Sequence, residues 1–258
     1  MRSWIVFYSL EMPYDQDTSM GGPSARFPHT RHSAIYSTRS EDAAERERAY
    51  AAIVHSYWKP AYKYIRIQWR KSNEDAKDLT QAFFAKALEK NYFRKYDAAN
   101  GSFRGFLRLC LDAFVANEAQ ASNRLKRGGG AAAVPLDFES AEGELQSLPI
   151  AGGIGTEELF YQEWVRHLFT TAVETLRSEC QASGKQTHFS HLERYDLDQT
   201  AQSYDQLARE CGLPVTTITN QLAWARRRFR AIVLQLLRDA TGSEEEFQRE
   251  ARQLLGTG

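Results

Sequence analysis

Small polar residues in the last third of the chain follow the pattern of a helix-turn-helix. Ser203 and Gln206 have the spacing of a capping box, which begins a short helix whose core positions are Leu207 and Ala208. Gly212 suits the left-handed backbone of the tight turn that follows. The next predicted helix covers 214–230, and its inward-facing residues are Val215, Ile218 and Leu222.

The side chains of this second helix have the chemistry of base and phosphate contacts. In a helix-turn-helix the first turns of the second helix meet base edges in the major groove, where Asn and Gln pair with adenine and Thr contacts the thymine methyl. The predicted base-reading residues are Thr216, Thr217, Thr219, Asn220 and Gln221. The predicted phosphate contacts, which position the protein without specifying sequence, are Arg226, Arg227, Arg228 and Arg230. A solvated arginine face on an ordinary helical hairpin is the alternative.

Two further sets of candidate residues lie in the first half of the chain. Glu74, Asp78 and Gln81 share one face of a predicted helix, opposite a core face that includes Phe83, and this polar stripe is either a docking surface or solvated. The next predicted helix ends in basic residues interleaved with planar side chains, an arrangement suited to single-stranded DNA. Its candidates are Phe114, Asn117, Asn123 and Arg124, and the alternative is a structural aromatic with a solvated basic end.

Apolar residues at steps of three and four predict an all-α fold with no strands. In the first helix this stripe runs from Val54 to Trp69, and Pro60 inside it predicts a kink or a late start. Ser72 and Asn73 are cap candidates for the second helix, whose predicted apolar face is Leu79, Phe83, Ala87 and Leu88. The third helix follows a turn at 97–101.

Composition predicts two helical domains with irregular connections. A flexible N-terminal arm covers 1–40, and the first helical domain covers 41–127. A Gly/Ala/Pro-containing acidic linker, predicted to be flexible, covers 128–155. The second helical domain covers 156–240 and the tail 241–258.

Charge is distributed unevenly although the chain is neutral overall, with 33 basic and 33 acidic residues. Between residues 50 and 130 the 15 Lys and Arg exceed the 7 Asp and Glu by eight, whereas 131–165 contains acids only. A basic block of this kind indicates an anionic partner better than the total charge does.

Three segments together resemble a known family: NEDAKDLTQAFF at 73–84, Tyr96-Asp97 with GSFRGFL at 101–107, and the helix-turn-helix of 203–230. They are similar to regions 2 and 4 of the sigma-70 family, most closely its extracytoplasmic-function group. The resemblance implies a region-2-like helical bundle and a region-4-like helix-turn-helix. It covers roughly 50–127 and 157–240.

The resemblance also implies function: binding core RNA polymerase and directing promoter recognition and transcription initiation. The implied polymerase-binding residues, facing the clamp helices of the largest subunit, are Glu74, Asp78, Gln81 and Phe84. Those implied to bind the −10 element are Arg104, Phe114, Asn117, Asn123, Arg124, Lys126 and Arg127. Those implied to bind the −35 element are Thr216, Thr217, Thr219, Asn220, Gln221, Arg226, Arg227 and Arg228. The expected partners are the polymerase clamp helices and flap, promoter DNA, and an anti-sigma or other regulatory protein.

The sequence departs from this family in three places. Thr219-Asn220-Gln221 stand where relatives often have Lys or Arg, so the promoter sequence cannot be transferred. The stretch 178–202 is longer than is usual in the group, and both chain ends are extra. Two alternatives therefore stay open: a helix-turn-helix regulator that acts without polymerase, and a sigma-like protein held by a partner.

No residue pattern indicates an enzyme, a metal site or a cofactor. Cys110, Cys180 and Cys211 lack CxxC spacing, and His29 and His32 have no third ligand nearby. No apolar run approaches the length of a membrane span, and the start at 1–10 makes a poor signal peptide. We therefore expect a cytoplasmic protein without membrane insertion.

Overall fold

A computed structural model describes residues 34–122, 136–146, 155–198 and 203–256. Ten α-helices occur in these ranges, and the described residues contain no strand. The α-helices are α1 (Ala34–Ser37), α2 (Ala43–Gln68), α3 (Asn73–Glu89), α4 (Phe103–Ser122), α5 (Phe138–Gln146), α6 (Thr156–Ala182), α7 (Gln186–Leu192), α8 (Tyr204–Cys211), α9 (Val215–Ala240) and α10 (Glu244–Leu255). The predicted all-α fold is confirmed for this part of the chain.

The chain divides into two compact units. The first unit contains the described residues of 34–168 together with 237–248, and the second contains those of 169–236 together with 249–256. Helices α6, α9 and α10 each contribute residues to both units. This division differs from the predicted bounds 41–127 and 156–240, because the start of α6 and the end of α9 lie in the first unit.

The first unit is built around α2, which packs against α1, α3 and α5. Asp42 caps its N-terminus, accepting a hydrogen bond from the backbone N–H of Ala44 at 3.0 Å. The helix runs through Pro60 and begins well before it, so the alternative of a late start is wrong. Tyr57, Tyr62 and Ile65 are fully buried on it, as the apolar stripe predicts.

Helix α3 begins as predicted, because the Ser72 hydroxyl accepts a hydrogen bond from Asp75 N at 3.1 Å. Phe83 and Ala87 are buried, but Leu88 is 52% exposed, so its predicted place in the core is wrong. Leu88 lies in the last turn of α3, one residue beyond Ala87 and around the side of the helix.

Three segments predicted to be irregular contain helices. Residues 138–146 of the predicted flexible linker form α5, with Phe138, Ala141 and Leu145 buried, so the flexible linker is wrong over this range. Residues 244–255 of the predicted tail form α10, and 34–37 of the predicted arm form α1. In each case the apolar residues of a short segment are buried against other parts of the protein, and this packing stabilises the helix. Composition alone does not show that such packing occurs.

The second unit has its core along α6, α8 and α9. Leu176 and Cys180 of α6, Leu207 of α8, and Ile218 and Leu222 of α9 are all buried. The rings of Phe169 and Phe229 lie 6.2 Å apart in the same unit. The periodic apolar residues of α9 therefore fix one of its faces inward and leave another exposed.

Candidate nucleic-acid interface

The turn between α8 and α9 has the predicted geometry. Ser203 Oγ accepts from Gln206 N at 3.2 Å, and Gln206 Oε1 accepts from Ser203 N at 2.8 Å, which confirms the capping box. Gly212 has a φ of 64°, in the left-handed region that glycine tolerates best. Leu213 N then donates to Ala208 O at 3.0 Å, closing the end of α8. The two helices are therefore joined by a tight, fully defined turn.

Helix α9 extends further than the sequence indicates, from Val215 to Ala240. Pro214 precedes the helix, and its carbonyl accepts from Thr217 N at 2.9 Å. Ile218 and Leu222 face inward as predicted, but Val215 is 37% exposed. Val215 lies in the first turn, beyond the face that Ile218 and Leu222 bury, so its inward placement is wrong.

The five predicted base-reading residues divide into two groups. Thr216 and Asn220 are exposed, whereas Thr217, Thr219 and Gln221 are half-buried. Thr219 donates its hydroxyl to the carbonyl of Thr216 at 3.1 Å. Gln221 has its amide oxygen buried beside His191, so it is turned away from the exposed face. Gln221 is therefore a poor candidate for base contact, and Thr216 and Asn220 remain the accessible pair.

Arg226 is a structural residue rather than a free cation. Its guanidinium binds both carboxylate oxygens of Asp196, at 2.9 and 2.8 Å, and lies 5.4 Å from the centre of the Tyr195 ring. The side chains of Arg226 and Asp196 are only 18% and 10% exposed. Burial opposes the charged form, but the hydrogen bonds to Asp196 raise the pKa of Arg226 above its ordinary value. A phosphate contact would require Arg226 to leave Asp196, so the structure does not favour this predicted role.

The other arginines of α9 differ in their availability. Arg228 binds both oxygens of Glu179 at 2.6 Å, with both groups partly exposed. Arg230 is half-buried and donates to the carbonyl of Leu255 at 3.4 Å. Arg227 is exposed, and no ion pair links it to a carboxylate in the described residues. Of the four predicted phosphate contacts, Arg227 is the most accessible.

The polar stripe of α3 is exposed in the first unit. Glu74, Asp78 and Gln81 are all accessible, and Glu74 pairs with Lys77 at 3.0 Å on the surface. Phe84 is instead buried, with its ring 5.1 Å from that of Phe83, and its carbonyl accepts from the Tyr50 hydroxyl. The helix buries two adjacent positions, 83 and 84, so Phe84 belongs to the core and not to a docking surface.

The predicted −10 residues on α4 have different environments. Asn117 is exposed, whereas Phe114 is buried with its ring 5.7 Å from that of Phe83, which makes it a core aromatic. Arg104 lies over two aromatic rings, 4.4 Å from the centre of Tyr161 and 4.8 Å from that of Trp164. The predicted residues Asn123, Arg124, Lys126 and Arg127 lie outside the described residues.

A groove beside Asn117 combines aromatic rings with two lysines. Its volume is about 210 Å³, and it is lined by Lys86, Tyr92, Lys95, Phe106, Cys110, Ala113, Phe114 and Asn117. Lys86 lies 5.4 Å from the Phe114 ring and pairs with Glu118 at 3.4 Å, while Lys95 lies 5.9 Å from the Tyr92 ring. Rings and cations in one concave surface suit an unstacked base and its phosphate.

Lys86, Tyr92 and Lys95 are not among the site residues predicted from the sequence. Tyr92 and Lys95 belong to a 3-10 helix at Tyr92–Lys95 that periodicity does not reveal. The only available signal was the position of these residues between two amphipathic helices in a basic block.

Three cations of the basic block are paired with carboxylates within the first unit. Glu142 of α5 binds Arg66, at 3.0 and 2.6 Å, and Glu144 binds Lys59 and Lys63, at 2.8 and 2.5 Å. Glu163 of α6 lies a further 3.1 Å from Lys63. The acidic segment that follows the basic block in sequence therefore pairs with it in the fold, and the free charge is smaller than the count suggests.

The described residues contain no group of three or more His, Cys, Asp or Glu side chains that could hold a metal ion. The three cysteines are free, with Cys180 buried and the other two half-buried. His29 and His32 lie outside the described residues.

Comparison with protein-family models, with curated proteins and with solved structures finds no match to this chain. Among the helices that the structure describes, none has the length and apolarity needed to cross a membrane.

Proposed function

We propose that this chain is a sigma factor that binds core RNA polymerase and directs it to promoters. The observation that carries the proposal is the exposed polar face of α9 behind a capped, glycine-closed turn. Thr216, Asn220 and Arg227 all lie on that face, where a recognition helix needs them. The resemblance of segments within 73–107 and of 203–230 to sigma regions 2 and 4 supports the second part of the proposal, which is binding to polymerase.

In this proposal α9 reads duplex DNA. Asn220 hydrogen-bonds an adenine edge, and the Thr216 methyl contacts a thymine methyl. A good bidentate base contact contributes about 1–3 kcal/mol of discrimination. Arg227, further along the same helix, contacts a phosphate and fixes the register of α9 on the duplex.

The groove beside Asn117 supports a second DNA contact, with a melted strand. Tyr92 and Phe106 offer ring surfaces, and Lys86 and Lys95 offer charge for a backbone that passes over them. Stacking of one base on an aromatic side chain contributes about 1–3 kcal/mol. Phe114 also lines the groove, but it is only 5% exposed, so its ring offers little surface on which a base could stack.

The stripe of Glu74, Asp78 and Gln81 supports the contact with polymerase. Asp78 is exposed, and Glu74 is exposed with only a surface partner, Lys77, so both carboxylates can meet a basic partner surface. Opposite charges across an interface raise the association rate and exclude wrong partners.

The proposal is tested by run-off transcription and by pull-down with core polymerase. Asp78→Lys is expected to abolish binding to core, whereas Glu47→Lys, the same charge change on the exposed surface of α2, leaves it intact. Asn220→Ala is expected to retain core binding and lose promoter-directed initiation. Failure of the wild-type chain to bind core would overturn the proposal.

A duplex-DNA regulator that acts without polymerase is the second candidate. The pairing of Lys59, Lys63 and Arg66 with carboxylates favours it, because fewer cations of the first unit remain for a melted strand. It predicts that Asp78→Lys leaves DNA binding and function unchanged while Asn220→Ala abolishes both.

A further inference from the structure

Few of the cations on α9 are free to contact the phosphates of the proposed duplex. Arg226 is occupied by Asp196 and Arg228 by Glu179, so two of the arginines that the sequence assigns to phosphates are paired within the second unit. Phosphate neutralisation by Lys and Arg provides most of the affinity of DNA-binding proteins. A second free cation near the exposed face of α9, besides Arg227, is therefore needed.

The exposed face of α9 includes an aromatic residue between the base-reading and phosphate-binding positions. Thr216, Asn220, Trp224 and Arg227 are separated by four, four and three residues, which places them on one side of a helix. Thr216, Asn220 and Arg227 are exposed and Trp224 is half-buried. Trp224 thus lies one turn after Asn220.

Lys185 reaches this face from outside the helix-turn-helix. Its Nζ lies 4.0 Å from the centre of the Trp224 ring. The ring of His188 packs edge to face against Trp224, with 5.2 Å between the ring centres. A cation held over the face of an indole is attracted by the negative face of the ring. The ring therefore positions the ammonium, whose three N–H groups can still donate to a further acceptor.

We infer that Lys185 contacts a phosphate of the duplex whose bases face Thr216 and Asn220. This inference rests on the proposed function and adds to it a DNA-positioning residue outside the recognition helix. Lys185 lies in the turn between α6 and α7, outside the helix-turn-helix. This turn thus supplies a charge that the paired arginines do not.

The experiment measures binding of the full-length chain to a mixed-sequence DNA duplex by fluorescence anisotropy over a series of NaCl concentrations. Lys185→Met keeps the aliphatic stem over Trp224 but removes the charge. It is expected to weaken binding and to reduce the slope of log K against log salt by about 0.9, the value for one lost phosphate contact. Lys185→Gln is expected to give the same change, and Lys185→Arg to retain the slope.

Arg249→Gln is the matched control. Arg249 is exposed on α10 in the second unit, so the substitution removes one exposed charge outside the helix-turn-helix and should leave the slope unchanged. Circular dichroism of each variant checks that the helices are intact. A wild-type chain that binds no duplex overturns the proposed reading of duplex DNA by α9 and, with it, this inference. If Lys185→Met and Lys185→Gln both keep the wild-type slope of log K against log salt, the inference is overturned and the proposed function is not affected.

Discussion

At the scale of single residues, the structure separates arginines that look equivalent in sequence. Arg226, Arg227 and Arg228 are consecutive, yet one is buried on Asp196, one is exposed and one is paired at the surface. Successive positions of a helix differ by about 100°, so a run of like residues cannot share one environment. A basic run therefore identifies a helix that bears cations, and not which cations are free.

Arg226 and Arg227 provide a matched pair of substitutions. Arg226→Ala leaves Asp196 as a buried carboxylate without its partner and is expected to lower the free energy of unfolding by about 3 kcal/mol. Arg227→Ala is expected to change stability by less than about 0.5 kcal/mol, as for most surface substitutions, and to weaken duplex binding. Urea unfolding and duplex binding of both variants measure this. Equal stabilities of the two would contradict the structural role of Arg226.

His167 gives a pH-dependent prediction. Burial lowers its pKa to about 4, partly offset by a hydrogen bond of 2.7 Å between Nε2 and the carbonyl of His55. Lys59, His55 and Glu144 are the charged or titratable groups that affect it. In the unfolded chain the ring titrates near its ordinary value of 6.5 and binds a proton that the folded form resists.

Stability should therefore fall as pH decreases from about 6.5 to 4, by on the order of 3 kcal/mol, with no further loss from this group below that range. Urea unfolding at a series of pH values tests this, with His167→Gln as the comparison. The variant should lose much of the pH dependence in this window. An unchanged pH profile would show that His167 is not the cause.

At the scale of elements, α5 shows how a local composition can mislead. Glycines and acids around it indicate a flexible linker, but Phe138 packs on Trp58 and Tyr62, with ring centres 5.4 and 5.2 Å apart. Glu142 and Glu144 meet the cations of α2 at the same surface. The hydrogen bonds from Arg66, with a further one from Tyr62, lower the pKa of Glu142 to about 2 although burial acts against this.

Neutralising the carboxylates of α5 tests its role. Glu142→Gln with Glu144→Gln is expected to lower the free energy of unfolding by about 2–4 kcal/mol, because Lys59, Lys63 and Arg66 lose partners in a partly buried site. Hydrogen exchange of 138–146 should become faster. Glu139→Gln, on the exposed side of α5, is the control and should change neither. No difference between the two variants would mean that Phe138, Ala141 and Leu145 alone hold the helix.

The positions of the helices can be predicted from the sequence where apolar residues recur at helical spacing over several turns. The Ser72 cap, the Ser203–Gln206 capping box and the glycine turn at Gly212 are local features, and each was predictable from a few adjacent residues. Burial of Phe84 and Phe114, the pairing of Arg226 with Asp196, and the formation of α5 depend on residues distant in sequence. Contacts between such distant residues cannot be predicted from a single sequence.

At the scale of the whole molecule, the C-terminal residues 237–248 belong to the same unit as the first helices. Glu246 is only 3% exposed, and its carboxylate accepts from Phe103 N at 3.1 Å and from Gly242 N at 2.8 Å. A carboxylate at the N-terminus of α4 complements the helix dipole. Gly242 packs so closely on the Tyr96 ring that a Cβ there would overlap it.

Removing the C-terminal segment should therefore weaken the N-terminal helices. A chain truncated after Ala240 is expected to lose stability in the first unit, visible as faster hydrogen exchange in α4. Glu246→Gln should show a smaller effect of about 1–3 kcal/mol, since a neutral amide replaces a buried acceptor. Glu245→Gln, at the exposed neighbouring position, is the control. Unchanged exchange in α4 after truncation would contradict the structural role of Glu246.

The hydrogen bond between Phe103 and Glu246 spans 143 positions of the chain, which affects the order in which the protein can form during synthesis. Helices α2 to α4 leave the ribosome well before Glu246, so α4 meets its carboxylate cap only after residues up to 246 have emerged. Closing so long a loop costs conformational entropy before any contact is made. We therefore expect the first unit to stay incompletely packed during synthesis until residues 237–248 have emerged.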